Sequence, residues 1–501
     1  MATIRGAHSS AGGAAPRSPW PPPLPADVCR SELGGLVESA GFGELGEHSG
    51  WLLVDEPDAQ RQSVSGWTLD DGHLAVVGAP GGGATTTLAT AILAATRCAG
   101  DAAPHVHIVD HDAGGLDPLA ALAHCGTVVG PTDRELRVRL LRWLDEEIVR
   151  RRADGRQTPR ILLVIDDLGG LSRAHDRVRE QGVHEALERI WADGPAVGAT
   201  VAVSLRRGVD LPPAMAATVG TVLLHRVSDP SDALRFGVKE STESFGAGRV
   251  LRAGDNAIAQ VIKDAPSLAE SVLARSDCTA PSVAPHEVGV LAAVVAAGAV
   301  GASAEVGPVE TELSVAVGDR DLNLSPLRLH RGEHGLILGP ARSGRTNVLA
   351  AVGAACGERC VIVGDGSGNG RDLAARTGRE LVGVESLAEA LSCGPMVVLI
   401  DDCLDLADSN GTLADLVASP PEGVHIMAAA KPDRFRSAYG HWAADIRSSR
   451  VGILLKPDPI DGDLLGVSLP ARLDLPNIAG RGVLVADSES EVVQVVLADS
   501  R

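Results

Sequence analysis

Residues 334–355 read HGLILGPARSGRTNVLAAVGAA, and residues 73–95 read HLAVVGAPGGGATTTLATAILAA. Each begins as a short apolar run, passes through a glycine-rich turn and continues as an Ala/Leu-rich segment of helical character. The turns, GPARSGRTN (339–347) and GAPGGGATT (78–86), share one outline: Gly, four residues, Gly, one residue, Thr. That outline is a phosphate loop, in which small residues let consecutive backbone N–H groups wrap an anion at a helix N-terminus. The position before the threonine, where such loops carry lysine, holds Arg345 in one copy and Ala84 in the other.

Two further pairs of segments follow in the same order. RILLVIDDLGGL (160–171) and PMVVLIDDCLDL (395–406) are uninterrupted apolar strands ending in two aspartates. Continuous apolar strands belong in a parallel sheet covered on both faces. GAGRVLRAG (246–254) and IAGRGVLVAD (478–487) then bring a Gly-Arg turn, 83 positions beyond the first aspartate in copy one and 80 in copy two. Three motifs in one order and at similar separation identify an internal repeat. The fold class expected is α/β: two tandem P-loop NTPase domains, each a mostly parallel sheet flanked by helices. The boundaries expected are a disordered lead-in over 1–26, rich in Pro, Gly, Ala and Ser, a first domain over 27–270, a linker over 271–305 and a second domain over 306–501.

Copy one carries a longer insertion between its loop and its Asp pair. HVHIVD (105–110) reads as a strand, and Thr132 with Glu135 forms a T-x-x-E capping box for a helix with Leu136, Leu140, Leu141, Leu144 and Ile148 on one face. The arginines of that helix alternate with acids at 145–147 and read as a solvated face. His105 and His107 share a face and His111 follows, so a metal site can be imagined there, although strand-edge histidines with ordinary partners are the favoured reading. Cys356 and Cys360 are the only close cysteine pair, and no second pair or His set completes a zinc site.

Composition narrows the functions. The hydrophobic fraction of 45% supports sizeable cores, and the aromatic fraction of 2% makes those cores aliphatic. A formal net charge of −20 opposes broad affinity for the phosphate backbone of nucleic acid. Eight scattered cysteines in a chain of 501 residues suggest reduced thiols. The N-terminus lacks the apolar core of a signal peptide, and the most apolar run, VGVLAAVVAAGAVGAS (288–303), is shorter than the ~20 residues a membrane-spanning helix needs. The chain reads as cytoplasmic, without a transmembrane segment.

The loops and acids define candidate sites. In copy two Gly339, Gly344 and Thr346 stand where the loop requires them, Asn347 follows, and Arg345 keeps the positive charge as a planar fork rather than a point charge. In copy one Gly78, Gly81, Gly83 and Thr85 keep the cradle while Ala84 supplies no cation. ATP with Mg²⁺ is the cofactor expected, held mainly by copy two. Thr85 and Thr346 are the expected Mg²⁺ ligands, with Asp166 and Asp401 acting through the hydration shell of the ion. Asp167 and Asp402 stand where a glutamate usually polarises the attacking water, one methylene short of that reach. After the next apolar strand, TVAVSLRRG (200–208) and VHIMAAAKPD (424–433), a hydrolase often places Asn or Gln; here Ser204 and Ala429 stand near that point. The four aspartates are the candidate catalytic residues, and slow or lost hydrolysis is expected.

With GWLLVDEPDAQRQ (50–62), DAGGLDPLAALAHCGTVV (112–129) and YGHWAADIRSSRVGILLKPDPIDGDLLGVSLP (439–470), these motifs resemble the FtsK/SpoIIIE-type ATPases. They are more similar still to the tandem degenerate ATPase modules of actinobacterial type VII secretion motors and related FtsK/SpoIIIE-domain proteins. The resemblance implies RecA-like domains that couple ATP to the movement of DNA or exported protein. It also implies downstream modules that hold nucleotide as a structural element, the last of them docking a substrate's C-terminal signal helix. Arg249 and Arg481 match the family's Gly-Arg turn and read as turn residues. The expected function is an ATP-binding, weakly hydrolysing or regulatory module of a secretion motor. Its expected partners are other motor subunits or a second copy, and a secreted protein's signal peptide, at the inner face of the membrane through those partners. The alternatives are a DNA-binding or translocating ATPase, which the acidic charge and absent loop lysines disfavour, and a nucleotide-free interaction scaffold.

Overall fold

The computed structural model describes residues 21–33, 50–97, 100–111, 114–175, 181–275, 280–320, 322–366, 368–470 and 475–498. The chain divides into two units, Met1–Val288 and Gly289–Arg501.

The first unit is built on ten strands: β1 (Leu52–Glu56), β2 (Arg61–Ser65), β3 (Leu74–Val77), β4 (His105–Asp110), β5 (Cys125–Val129), β6 (Ile161–Asp166), β7 (Ala199–Leu205), β8 (Thr221–Leu224), β9 (Arg249–Arg252) and β10 (Ala257–Val261). They form one sheet in the order β2-β1-β10-β9-β8-β3-β7-β6-β4-β5. The stretch from β8 to β5 is parallel, and β9, β10, β1 and β2 extend it antiparallel. Every residue of β6 is buried, as its unbroken apolar run requires. Leu162 and Val164 pack on one face with Leu88 and Ile92 of helix α1 (Ala84–Ala95). Leu163 and Ile165 pack on the other with Leu140, Leu141, Leu144 and Ile148 of α2 (Arg134–Asp154) and with Leu187, Ile190 and Trp191 of α3 (Gln181–Asp193).

The second unit has β11 (Ser303–Val306), β12 (Glu310–Ser314), β13 (Ala316–Gly318), β14 (Leu327–His330), β15 (Gly335–Leu338), β16 (Cys360–Val363), β17 (Leu381–Val382), β18 (Met396–Ile400), β19 (Val424–Ala430), β20 (Val451–Leu455), β21 (Arg481–Ala486) and β22 (Glu489–Val495). Its main sheet runs β13-β22-β21-β20-β15-β19-β18-β16-β17, and a small sheet joins β11, β12 and β14. The parallel core β20-β15-β19-β18-β16-β17 repeats β8-β3-β7-β6-β4-β5 strand for strand. The expected α/β architecture with a mostly parallel sheet is present in both units. In each, the loop-bearing strand (β3 or β15) lies between the Asp-strand side and the antiparallel extension. Ligands of open α/β sheets gather at such a reversal of strand order.

Four local expectations differ from the structure. Residues 1–20 of the lead-in lie outside the described residues, but 21–26 are attached: Leu24 is buried and Gln62 donates to the Pro22 carbonyl at 2.8 Å. The expected linker region contributes a short helix over Ala297–Val300 and the strand β11, with Val295 and Val300 packed on the core of the second unit. Helix α2 starts at Arg134 with Asp133 at its N-cap, so Thr132 does not cap it. Nor is its basic face fully solvated. Arg137, Arg139 and Arg151 are buried, and Glu147 gathers Arg150, Arg151 and Arg156. Arg137 and Arg151 also donate to backbone carbonyls, of Pro131 (2.8 Å) and Pro159 (2.7 Å), which a helical-wheel view of the sequence does not contain.

The Gly-Arg turns also point inward. Arg481 is 1% exposed and donates to the carbonyls of Leu291 (2.8 Å) and Ala292 (3.2 Å) and to Gln494 Oε1 (3.0 Å). Arg249 donates in the same way to Leu24 and Pro25, both at 2.9 Å, while Gln260 holds Ala26 and Ala247. Each arginine fastens the leading segment of its own unit to the sheet.

Candidate functional site

Each loop leaves the C-terminal end of its strand and runs directly into a helix. Gly83 (φ 105°) and Gly344 (φ 109°) are the N-caps of α1 and of α4 (Arg345–Cys356). Both are in the left-handed region that favours glycine. A Cβ at Gly83 would lie 3.1 Å from the Gly248 nitrogen, and one at Gly344 would lie 3.0 Å from that of Gly480. The Gly-Arg turn therefore presses on the phosphate loop in both units. At the fourth loop position Gly81 has φ 78°, and Arg342 adopts φ 61° in the second copy. The two loops share a backbone path although one uses a non-glycine residue there.

The acid strands deliver the predicted carboxylates to the loops. Thr85 Oγ1 donates to Asp166 at 2.8 Å, and Thr346 Oγ1 donates to Asp401 at 2.6 Å. Burial pushes the Asp401 carboxyl above its ordinary range, against the opposing effect of the Thr346 hydroxyl. A buried carboxyl of this kind gains most from a cation close by. The following acids, Asp167 and Asp402, have left-handed backbone, with φ of 58° and 44°. That turn carries their side chains to cationic partners. Asp167 pairs with Arg206 Nε at 3.0 Å, has Arg173 at 3.8 Å and accepts from the Gly170 amide at 2.9 Å. Asp402 accepts from Arg345 at 3.0 Å and from the Asn369 amide.

Arg345 bridges its own site, donating also to the Gly339 carbonyl at 2.8 Å. Ser204, expected near a phosphate-sensing position, instead donates to Asp166 and accepts from the Asp167 backbone amide at 2.8 Å. Ala429 is buried in β19. Asn347, grouped with the nucleotide residues by its position, has its amide on the backbone of Val496 (2.9 Å) and Ala498 (3.2 Å), away from the loop. The residues that sequence reasoning missed are Arg206, Arg173 and Asn369. Arg206 stands in the quoted segment TVAVSLRRG, one residue beyond its strand, but only the sheet register puts it beside the loop.

The first loop opens on a cavity of 330 Å³ lined by Gly78, Gly81, Gly83, Thr85, Asp166, Asp167 and Arg206. A second cavity of 490 Å³, bounded by Gln260, Lys263 and Ser267, shares Gly83, Thr85, Thr86 and Ala247 with it. A polar compartment at a helix N-terminus beside a larger one suits an anion with an organic substituent. Beneath the loop, burial holds the His225 imidazole down to about 4, and its ring bonds the Thr87 hydroxyl at 2.8 Å. His225 is therefore neutral near pH 7.

The remaining candidates are structural. His107 is fully buried with its ring 4.9 Å from that of Trp143, and Cys360 Sγ contacts the Gly357 carbonyl at 3.3 Å. Among the described residues no group of three or more His, Cys, Asp or Glu could hold a metal ion. No helix among them is long and apolar enough to cross a membrane.

Comparison with known proteins bears on this geometry. The sequence model of the FtsK/SpoIIIE family matches residues 54–245. ESX-4 secretion system protein EccC4 of Mycobacterium tuberculosis is 29% identical over 248 residues, covering 44% of this chain and 19% of that protein. ESX-3 secretion system protein EccC3 of the same species is 26% identical over 378 residues, covering 67% of this chain and 26% of that protein. The chain thus spans about a fifth to a quarter of the length of these relatives. Among solved structures, EssC ATPases 2 and 3 from Geobacillus thermodenitrificans align with a TM-score of 0.71 at 19% identity, over 95% of this chain and 100% of that one. Thermomonospora curvata EccC ATPases 2 and 3, in complex with a signal sequence peptide, align with a TM-score of 0.66 at 20% identity, over 96% and 100%. The two units of this chain therefore have the fold of tandem RecA-like ATPase domains. The match to the FtsK/SpoIIIE family model falls within the first unit, and the chain as a whole is similar to the EccC and EssC secretion ATPases.

Proposed function

We propose that the chain is a nucleotide-holding, slowly hydrolysing pair of modules acting within a type VII secretion motor. The observation that carries this reading is the hydroxyl–carboxylate pair repeated at the foot of each loop, Thr85 with Asp166 and Thr346 with Asp401, at 2.8 and 2.6 Å. In each unit the pair stands beside backbone amides at a helix N-terminus, so the donor set fits a triphosphate with Mg²⁺. Thr85 and Thr346 would offer hydroxyl ligands to the ion, with Asp166 and Asp401 placed to bond its waters. When bound, Mg²⁺ would supply charge neutralisation at the terminal phosphates.

Slow turnover follows from the second acids. A general base must be within hydrogen-bond reach of the water it activates. Asp167 is held by the Gly170 amide with Arg173 at 3.8 Å, and Asp402 by Arg345 and Asn369. Those contacts occupy carboxylate oxygens that an attacking water would have to reach.

Kinship to the EccC proteins supports an association with other motor subunits or with a second copy at the inner face of the membrane. It likewise supports recognition of a secreted protein's signal peptide, such as the one bound by the Thermomonospora protein. The formal net charge of −20 weighs against a DNA substrate. The test is equilibrium binding of labelled ATP to the full chain, with Mg²⁺ and with EDTA. Mg²⁺-dependent binding that is abolished in the Thr85→Ala/Thr346→Ala double variant is expected. Retention without Mg²⁺ dependence, or no binding, refutes the assignment.

A further inference from the structure

We propose that Arg206 is the phosphate-binding cation of the first module, supplying from a neighbouring strand the charge that Ala84 does not supply from the loop. The inference rests on the nucleotide reading above and names a residue that reading does not require.

The sheet register puts Arg206 in place. Val77, the last residue of β3, is paired with Leu205, the last of β7, and the Gly78 amide donates to the Leu205 carbonyl at 3.0 Å. Arg206 therefore leaves its strand alongside the first glycine of the loop. It lines the same 330 Å³ cavity as Gly78, Ala84 and Thr85. Its neighbour in the sequence is committed elsewhere: Arg207 pairs with the fully buried Asp232 at 2.7 Å and with Asp229 at 3.2 Å. Of the two adjacent arginines, Arg206 is the one that lines the cavity.

Charge points the same way. The cavity contains two buried carboxylates, Asp166 and Asp167, and its helix start carries no cation. An incoming polyphosphate needs a counter-charge there besides its own metal. Arg206 Nε pairs with Asp167 at the cavity wall and its side chain is 43% exposed, so an arriving phosphate competes with its present partners for the guanidinium. Arg173, already 3.8 Å from Asp167, stays to neutralise the acid after that exchange. A guanidinium binds phosphate as a fork, so it serves from the cavity wall without the threading a loop lysine needs. In the second module the loop cation is present as Arg345.

Hydrogen–deuterium exchange of the full chain, titrated with MgATP, reads the two loops separately through peptides covering 78–86 and 339–347. In the parent chain both become protected. In Arg206→Ala the ATP concentration for half-protection of 78–86 should rise by at least about tenfold, the usual scale for one charge-assisted contact, while 339–347 is unchanged and reports an intact fold. Adding Ala84→Lys to Arg206→Ala should return the midpoint to within about threefold of the parent, a rescue that loss of a surface ion pair cannot explain. An unchanged midpoint in Arg206→Ala, or a failure of Ala84→Lys to rescue, overturns the proposal while the nucleotide reading stands. Absence of protection at 78–86 in the parent overturns it as well, and absence at both loops removes the nucleotide reading with it.

Discussion

Arg249 and Arg481 illustrate how far a residue's role depends on partners remote in sequence. Both stand in Gly-Arg turns and read there as turn residues, yet Arg481 is buried against carbonyls 189 and 190 positions away. No local pattern carries that information, because the partners are backbone atoms of any sequence. Removing such a donor leaves buried acceptors unsatisfied, at about 1–3 kcal/mol each. Arg481→Ala is expected to destabilise the second unit by roughly 3 kcal/mol. Arg249→Ala, in its half-buried setting, should cost less, about 1–2 kcal/mol. Urea unfolding followed by circular dichroism measures both; equal, negligible effects would show that the clamps do not hold the leading segments. Arg345 gives the complementary case: its identity was visible in GPARSGRTN, but its bond to Asp402 was not.

At the scale of elements, the loop-to-helix junctions were the most legible part of the chain. Glycine spacing fixed the turn, and unbroken apolar runs fixed the parallel strands that flank it. The Thr–Asp contacts follow from those two readings, because the acid strand and the loop strand share one sheet with a single strand between them. Less legible were helix limits and the leading segments, where one-residue shifts in capping and weak apolar runs decide the outcome. Gly83 and Gly344 offer a direct test of the junctions. Alanine at either position must adopt φ above 100° and place its Cβ about 3 Å from the backbone of the next turn. Gly344→Ala is expected to destabilise the second unit by about 1–3 kcal/mol and to weaken MgATP binding there. Thermal melts with and without MgATP check this; a variant with parent stability and parent ligand shift would contradict the strained-junction account.

For the whole molecule, the repeat was legible because three motifs recur in order, and the repeated strand order bears out the tandem α/β architecture. What the sequence could not supply was the protonation state of its buried groups. Burial holds His107 down to about 3 and both His225 and His334 down to about 4, against an ordinary value of 6.5. A histidine depressed in the folded state is neutral there while the unfolded chain takes up a proton. Its contribution to stability is complete above pH 6.5 and is lost as pH falls toward 4. By pH 5 each costs on the order of 1–2 kcal/mol, and both units contain at least one. Urea midpoints at pH 7.5, 6 and 5 should therefore be level at first and then drop steeply. A midpoint unchanged at pH 5 would mean that these imidazoles are not buried neutral.

On the proposed function, the two loops hold a triphosphate and hydrolyse it slowly. A single-turnover experiment, mixing the full chain with substoichiometric labelled ATP and Mg²⁺ and following bound ATP and free phosphate together, tests that claim most directly. The prediction is retained, intact ATP with phosphate released more slowly than about 0.1 per second, well under the ~10 per second median of enzymes. Phosphate released at about 10 per second, or ATP that never associates with the chain, would contradict it.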